Sequence, residues 1–121
     1  MVAFVLIIIF GIEYYLLFFY HSGTYNTFSR CLTEKGVVMY GTETCFHCKN
    51  QRAKFGDSFK YINYTDCDKN RELCIEKNIL AFPTWVFAND GVLQGEQPFE
   101  ILGNISGCQS ISDEELNKII T

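Results

Sequence analysis

The sequence has 121 residues, which gives room for one domain. Its 14 Asp and Glu outnumber its 10 Lys and Arg, and no basic stripe is present to bind a phosphate backbone, so nucleic acid is excluded as a partner. Six cysteines in so short a chain favour disulfides and a compartment outside the reducing cytosol, with metal binding as the competing use.

The chain begins with an apolar and aromatic stretch over Val2–Tyr20, interrupted by Gly11 and Glu13. Nineteen residues at about 1.5 Å each nearly cross the ~30 Å hydrocarbon layer of a membrane. Glu13 costs roughly 2.5–3.5 kcal/mol on insertion, whereas the Leu, Ile, Phe and Val side chains together favour insertion by on the order of 4–8 kcal/mol. We therefore expect residues 1–21 to form one transmembrane anchor that contacts the lipid bilayer through residues 2–20.

A cleaved signal peptide with its apolar core at Val2–Ile12 is the alternative. No Lys or Arg precedes that core, and no A-x-A-like cleavage site comes before Ser22-Gly23. In a retained span, Glu13 is either a tolerated charge or a group that contacts a membrane partner.

After a polar linker over residues 22–27, residues 28–108 alternate helices and strands. The predicted elements are a helix over Phe28–Lys35 capped by Thr27, a strand over Val37–Tyr40, a helix from Cys45 to Gly56, a strand over Phe59–Tyr64, a helix over Arg71–Lys77 capped by Asn70 with Asn78 at its left-handed exit, and a strand over Thr84–Ala88.

Asp90-Gly91 predicts a hairpin turn into a strand over Val92–Gly95. Pro98 suits the first position of a helix that turns Phe99, Leu102 and Ile105 inward and closes at Gly107, and the pattern from Ser112 to Glu115 is a capping box for a tail helix in residues 109–121. This order predicts a small α/β sandwich with a mixed sheet of about four strands flanked by helices.

The chemistry is concentrated in Cys45-Phe46-His47-Cys48, between a predicted strand and a helix. Two cysteines three apart on a first helical turn come within disulfide reach, and the helix N-terminus stabilises a thiolate. His47 adds positive charge beside the pair. This predicts Cys45 as the attacking thiol and Cys48 as the resolving one, with an oxidising poise.

Zinc held by Cys45, Cys48, Cys67 and Cys74 is the alternative use of these cysteines. The six residues between Cys67 and Cys74 exceed the two to four usual in zinc knuckles. Haem attachment is excluded because Lys49, not His, follows the second cysteine. No metal and no cofactor is expected.

Phe82-Pro83-Thr84 opens a strand well downstream of the two cysteines. A cis proline there would leave the preceding backbone free to pair with an extended peptide beside the thiols, whereas a trans proline starting a strand is the commoner case. We therefore place Pro83 in the catalytic site and Phe82, Thr84 and Phe46 in a substrate groove.

The run from Gly36 to Cys108 resembles the thioredoxin-like domain fused to bacterial homologues of vitamin K epoxide reductase. The residues that carry the resemblance are Met39-Tyr40-Gly41, Cys45-x-His47-Cys48-Lys49-Asn50-Gln51, Phe55-Gly56, Tyr64-x-x-Cys67, Leu73-Cys74, Phe82-Pro83-Thr84-Trp85 and Gly95-x-Gln97. The resemblance implies that Cys45 and Cys48 pass oxidising equivalents between substrate proteins and a membrane redox partner. His47 also resembles the CPHC site of periplasmic disulfide oxidases.

The sequence departs from thioredoxins at three positions. Thr44 stands where they usually have Trp, Phe46 where Pro or Gly is common, and Met39 where they carry a buried Asp. These changes concern the rate and the redox poise more than the type of chemistry.

The other four cysteines suit two structural bridges. Cys67 ends a strand and Cys74 lies in the next helix, and both this spacing and the resemblance support their pairing. Cys31 and Cys108 would tie together the two ends of the domain. Buried free thiols at Cys31 and Cys74 are the alternative.

The function predicted from these features is an oxidase-type thiol–disulfide oxidoreductase that exchanges disulfides with protein substrates. A reductase or isomerase, and a non-catalytic thioredoxin-like module at a membrane, are the alternatives. Arg30 and Lys35 weakly favour a cytoplasmic domain, but the cysteine usage outweighs them, so we expect the domain on the extracytoplasmic side.

Overall fold

The computed structural model describes residues 1–20 and 24–121. Helix α1 covers Val2–Tyr20, and its side chains are exposed from Val2 to Leu16. Within the described ranges, no helix combines the length and the apolar character needed to cross a membrane. Residues 21–23 of the predicted linker, including the Ser22-Gly23 position, lie outside the described residues.

The remaining elements form a sheet with helices around it. They are α2 (Asn26–Glu34), β1 (Val38–Gly41), α3 (Phe46–Phe55), a 3-10 helix (Gly56–Tyr61), β2 (Asn63–Asp66), α4 (Arg71–Glu76), β3 (Thr84–Val86), β4 (Val92–Gln94), α5 (Phe99–Ser106) and α6 (Asp113–Ile120). The strand order is β2-β1-β3-β4, with β1 parallel to β2 and β3 antiparallel to both of its neighbours. This is the expected thioredoxin-like arrangement, a mixed sheet of four strands flanked by helices.

The main core lies between the sheet and helices α2, α3 and α5. Trp85 of β3 and Met39 of β1 pair across the sheet and are both fully buried. Phe55 of α3 packs its ring 4.5 Å from Phe99 and 6.0 Å from Trp85, centroid to centroid. The apolar Met39, at the position of the thioredoxin Asp, is thus part of this core.

One predicted strand is wrong in place and length. Residues 56–61 form a 3-10 helix, and β2 begins at Asn63 instead of Phe59. The aromatic spacing that suggested a strand has another cause: the Phe59 ring lies against Phe55 and Tyr64, at centroid distances of 6.1 and 5.6 Å. The carbonyl of Phe59 then accepts the N–H of Ile62, which ends the turn.

The predicted helix caps are partly wrong. Thr27 lies inside α2, and Asn70 makes no side-chain bond to α4, because its amide donates to the carbonyl of Asp66 instead. Asn78 does have a left-handed φ of 59°, and Ser112 and Glu115 form the predicted capping box. Ile105, expected to face inward, is 46% exposed.

The start of α2 is capped by the tail of the chain. The Asp113 carboxylate accepts the N–H groups of Asn26 and Thr27 at 2.9 and 3.0 Å, and the N–H of Asp113 donates to the carbonyl of Thr24. Residues 109–121, predicted as a separate tail, therefore pack on the first helix of the domain.

Both predicted bridges are present in the structure. Cys31 is joined to Cys108 across a sequence separation of 77 residues, and Cys67 to Cys74 across seven. Because Cys67 and Cys74 are bonded to each other, they do not offer the two thiolates that the zinc alternative requires. Cys45 and Cys48 are free thiols.

Candidate thiol site

The candidate site lies between the end of β1 and the start of α3. Cys45 is the N-cap of α3, with an extended φ of −73° and ψ of 121°, and its sulfur accepts the backbone N–H of Cys48 at 3.2 Å. Cys45 is partly exposed and Cys48 is buried. One sulfur therefore faces solvent at a helix N-terminus, where N–H groups and the helix dipole favour a thiolate, and the other lies behind it.

Burial separates the two thiols chemically. Desolvation raises the pKa of Cys48 from 9.0 to about 12, and its hydrogen bond with Cys45 adds to the rise. Cys48 is therefore protonated at neutral pH. This asymmetry suits an outer thiol that attacks first and an inner thiol that acts later.

The proline segment lies beside the outer thiol. The Phe82–Pro83 peptide bond is cis, as predicted, and the Cys45 thiol donates to the Phe82 carbonyl at 3.5 Å. Pro83 is buried, while Phe82 and Phe46, which follows Cys45 in the sequence, are 37% and 69% exposed. An apolar rim thus borders Cys45.

Thr84 does not belong to the predicted groove. Its side chain is buried, and its hydroxyl donates to the carbonyl of Ala81 at 2.6 Å. Its position in the proline motif suggested a role with the substrate, but the hydroxyl is used within its own turn.

His47 lies at the surface with a partner that the motif did not reveal. Its Nδ1 is 3.0 Å from Oε1 of Glu96, in the segment after β4, and the His47 side chain is 67% exposed. Hydrogen bonds from His47 and Asn50 hold the pKa of Glu96 below its usual value. Glu96 occupies the variable position of Gly95-x-Gln97, so no local signal identified it.

A buried glutamine fixes that segment against α3. The Gln51 side chain accepts the Gln97 N–H at 2.6 Å, donates to the Gln97 carbonyl at 3.2 Å, and accepts the Trp85 indole N–H at 3.3 Å. Gln51 is fully buried, and each of its polar atoms is paired. It therefore joins the helix that carries the thiols to the loop that carries Glu96.

A surface depression borders the site. It has a volume of about 420 Å³ and is lined by Cys67, Asp68, Arg71, Cys74, Ile75, Ile79 and Phe82. Phe82 is shared between this depression and the rim around Cys45. The Cys67–Cys74 bridge thus shapes a surface next to the thiols.

The chain is similar in part to known proteins. No family model matches the chain. In an alignment of 97 positions it is 33% identical to thiol-disulfide oxidoreductase LTO1 of Arabidopsis thaliana. The match covers 73% of this chain and about a quarter (26%) of that curated relative. Among solved structures, it is similar to thioredoxin of Fasciola hepatica, with 23% identity and a TM-score of 0.47 over 64% of this chain and 88% of that one.

Proposed function

We propose that this chain catalyses thiol–disulfide exchange with protein substrates through Cys45 and Cys48. The observation that carries the proposal is the pair of free thiols at one helix N-terminus, one partly exposed beside the Phe82 carbonyl and one buried. Similarity to part of a thiol-disulfide oxidoreductase supports it.

The exchange follows from this arrangement. With the pair oxidised, a substrate thiolate attacks the Cys45 sulfur, the Cys45–Cys48 bond breaks, and Cys48 leaves as a thiolate that takes up a proton. A second substrate thiolate then attacks the substrate sulfur of the mixed disulfide. Cys45 is released as a thiolate, and the substrate has lost two electrons to the pair. The same steps in reverse reduce a substrate.

Trapping tests the order of attack. Cys48→Ser should accumulate mixed disulfides with disulfide-containing proteins, because Cys45 attacks the protein disulfide, the other protein sulfur leaves as a thiolate, and no inner thiol remains to resolve the product. The matched Cys45→Ser variant should trap few or none. Non-reducing gels followed by peptide mapping measure this. Equal trapping by both variants would contradict the assignment, and the absence of exchange by the wild-type dithiol with insulin would contradict the function.

The direction of exchange that we propose is oxidation. The helix N-terminus at Cys45 favours the thiolate, which makes a disulfide there more oxidising. A reduction potential nearer to about −120 mV than to about −270 mV, measured against glutathione, is expected for an oxidase. A potential near the lower value would instead support a reductase.

We further propose that the domain is held at a membrane on the extracytoplasmic side and passes electrons to a quinone-linked membrane enzyme of the vitamin K epoxide reductase type. The apolar stretch over residues 2–20 and the two structural disulfides support this, since such bridges do not persist against cytosolic thiols. A membrane-impermeant maleimide should label Cys45 in intact cells after mild reduction. Labelling only after cell lysis would place the domain in the cytosol.

A further inference from the structure

One wall around Cys48 is formed by Gly41 and Tyr64. A Cβ on Gly41 would lie 2.8 Å from the Cys48 sulfur and 3.3 Å from Cε2 of Tyr64. The thiol and the phenol ring therefore both pack onto the bare backbone of this glycine.

Arg52 is fixed beside the same ring. It follows Cys48 by four residues on α3 and so lies on the same face of the helix. Its guanidinium carbon is 5.2 Å from the centroid of the Tyr64 ring, and its Nη1 is 2.8 Å from Oε2 of Glu43. A positive charge is thus held one helical turn from the buried sulfur.

Among the charged groups near Cys48 and Tyr64, Arg52 is the cation whose charge favours the Cys48 thiolate. Burial and the nearby Glu43 and Asp66 carboxylates raise the pKa of Tyr64 to about 12, so the phenol stays neutral. The Glu43 side chain is 57% exposed, against 34% for Arg52, so water screens the carboxylate more strongly. Burial and Cys45 raise the pKa of Cys48, and Arg52 acts against them.

We propose that Arg52 is a positioning residue that stabilises the thiolate of Cys48 during disulfide exchange. This inference rests on the proposed function. When a substrate thiolate attacks Cys45, the departing Cys48 carries the electron pair of the broken bond, and a nearby guanidinium lowers the cost of that charge. In the reverse step, Cys48 loses its proton and attacks the Cys45 sulfur of the mixed disulfide, and the same charge favours the attacking thiolate.

The test uses 5,5′-dithiobis(2-nitrobenzoate) as the probe. Cys45 attacks it and releases one thionitrobenzoate; Cys48 then attacks the mixed disulfide and releases a second. In Arg52→Gln we expect the second release to be about fivefold slower at each pH below 9, which is the size of effect expected from one unit charge partly screened by water. The first release should change less.

Two matched variants separate charge from structure. Arg52→Lys retains the cation and should restore most of the rate of the second release, whereas Lys54→Gln removes an exposed cation from the same helix and should leave that rate unchanged. An unchanged second release in Arg52→Gln, or an equal loss in Lys54→Gln, would overturn the role of Arg52. A wild-type Cys45 that fails to react at all would instead overturn the proposed function.

Discussion

At the scale of single residues, Gln51 shows how much of the site depends on one polar side chain in the core. Its three hydrogen bonds hold the Gln97 backbone and the Trp85 indole inside the domain. No apolar residue of similar size could replace these bonds, so its removal would leave buried groups unpaired.

We predict that Gln51→Leu lowers the free energy of unfolding by roughly 2–4 kcal/mol, because buried donors and acceptors then lose their partners. Urea denaturation of the purified domain measures this. Gln94→Leu, on an exposed position of β4, is the control and should change stability by less than about 0.5 kcal/mol. Equal effects would mean that the Gln51 bonds add nothing specific.

For Tyr64, removing the polar group is expected to change the free energy of unfolding in the opposite direction. Its hydroxyl is buried and has no hydrogen-bond partner among the described residues. Its pKa is raised from 10.0 to about 12, so the folded state favours the neutral phenol. The protein is therefore more stable below pH 10, and its stability falls as the pH rises from about 10 to about 12.

Tyr64→Phe should therefore be neutral or stabilising at pH 7 and relatively more stable than wild type at pH 11. Denaturation of the fully oxidised protein, which avoids reshuffling by free thiols, measures the difference at both values. Tyr61→Phe is the control from the adjacent segment. A Tyr64→Phe protein that loses stability at both pH values would show that the hydroxyl has a favourable partner.

At the scale of elements, the start of α2 depends on a residue from the far end of the domain. Asp113 satisfies two N–H groups at the first turn, and its negative charge suits the positive end of the helix dipole. The adjacent Glu114 pairs with Lys118 of its own helix, at 3.6 Å.

Asp113→Ala should consequently cost about 1–2 kcal/mol of stability, the typical value of a lost N-cap, with Glu114→Ala below about 0.5 kcal/mol. Thermal unfolding compares the two, and hydrogen exchange at the amides of Asn26 and Thr27 should rise in the first variant alone. Unchanged exchange at these two amides would show that water replaces the carboxylate as their hydrogen-bond acceptor with no loss of protection.

The elements also show what the sequence could predict. Features set by near neighbours were predicted correctly, such as the helix beginning after Cys45, the capping box at Ser112 and the hairpin at Asp90-Gly91. The segment from Phe59 was not, because three spaced aromatic residues fit a strand and a packed 3-10 turn equally well.

Partners that are distant in sequence were missed for a different reason. Glu96 contacts His47 at a sequence separation of 49 residues, and Gln51 contacts Gln97 at a separation of 46. Asp113 contacts Asn26 at a separation of 87. Composition and spacing carry no signal for such contacts, which depend on how the helices and strands pack together. The two bridges were within reach of prediction because cysteines have few chemical uses in a small domain.

At the scale of the whole molecule, the two structural bridges should differ in their effect on stability. By the chain-entropy estimate, the 77-residue separation of Cys31 and Cys108 corresponds to about 4 kcal/mol, and the seven-residue separation of Cys67 and Cys74 to about 2 kcal/mol. The double Cys→Ser variants at each pair, unfolded in urea, should reproduce this order. A larger loss at Cys67 and Cys74 would mean that their local packing outweighs loop entropy.

The Cys31–Cys108 bridge has a further consequence when the chain is being made. At about 5–20 residues per second, the ribosome needs about 4–15 s to add the 77 residues that separate the two cysteines. Throughout that interval Cys31 has no native partner, and for most of it Cys45 and Cys48 are present, because they follow Cys31 closely in the sequence. An oxidant that acts on the nascent chain in that interval would therefore join Cys31 to Cys45 or Cys48 instead of Cys108. The first turn of α2 is completed later still, because Asp113 follows Asn26 by 87 residues.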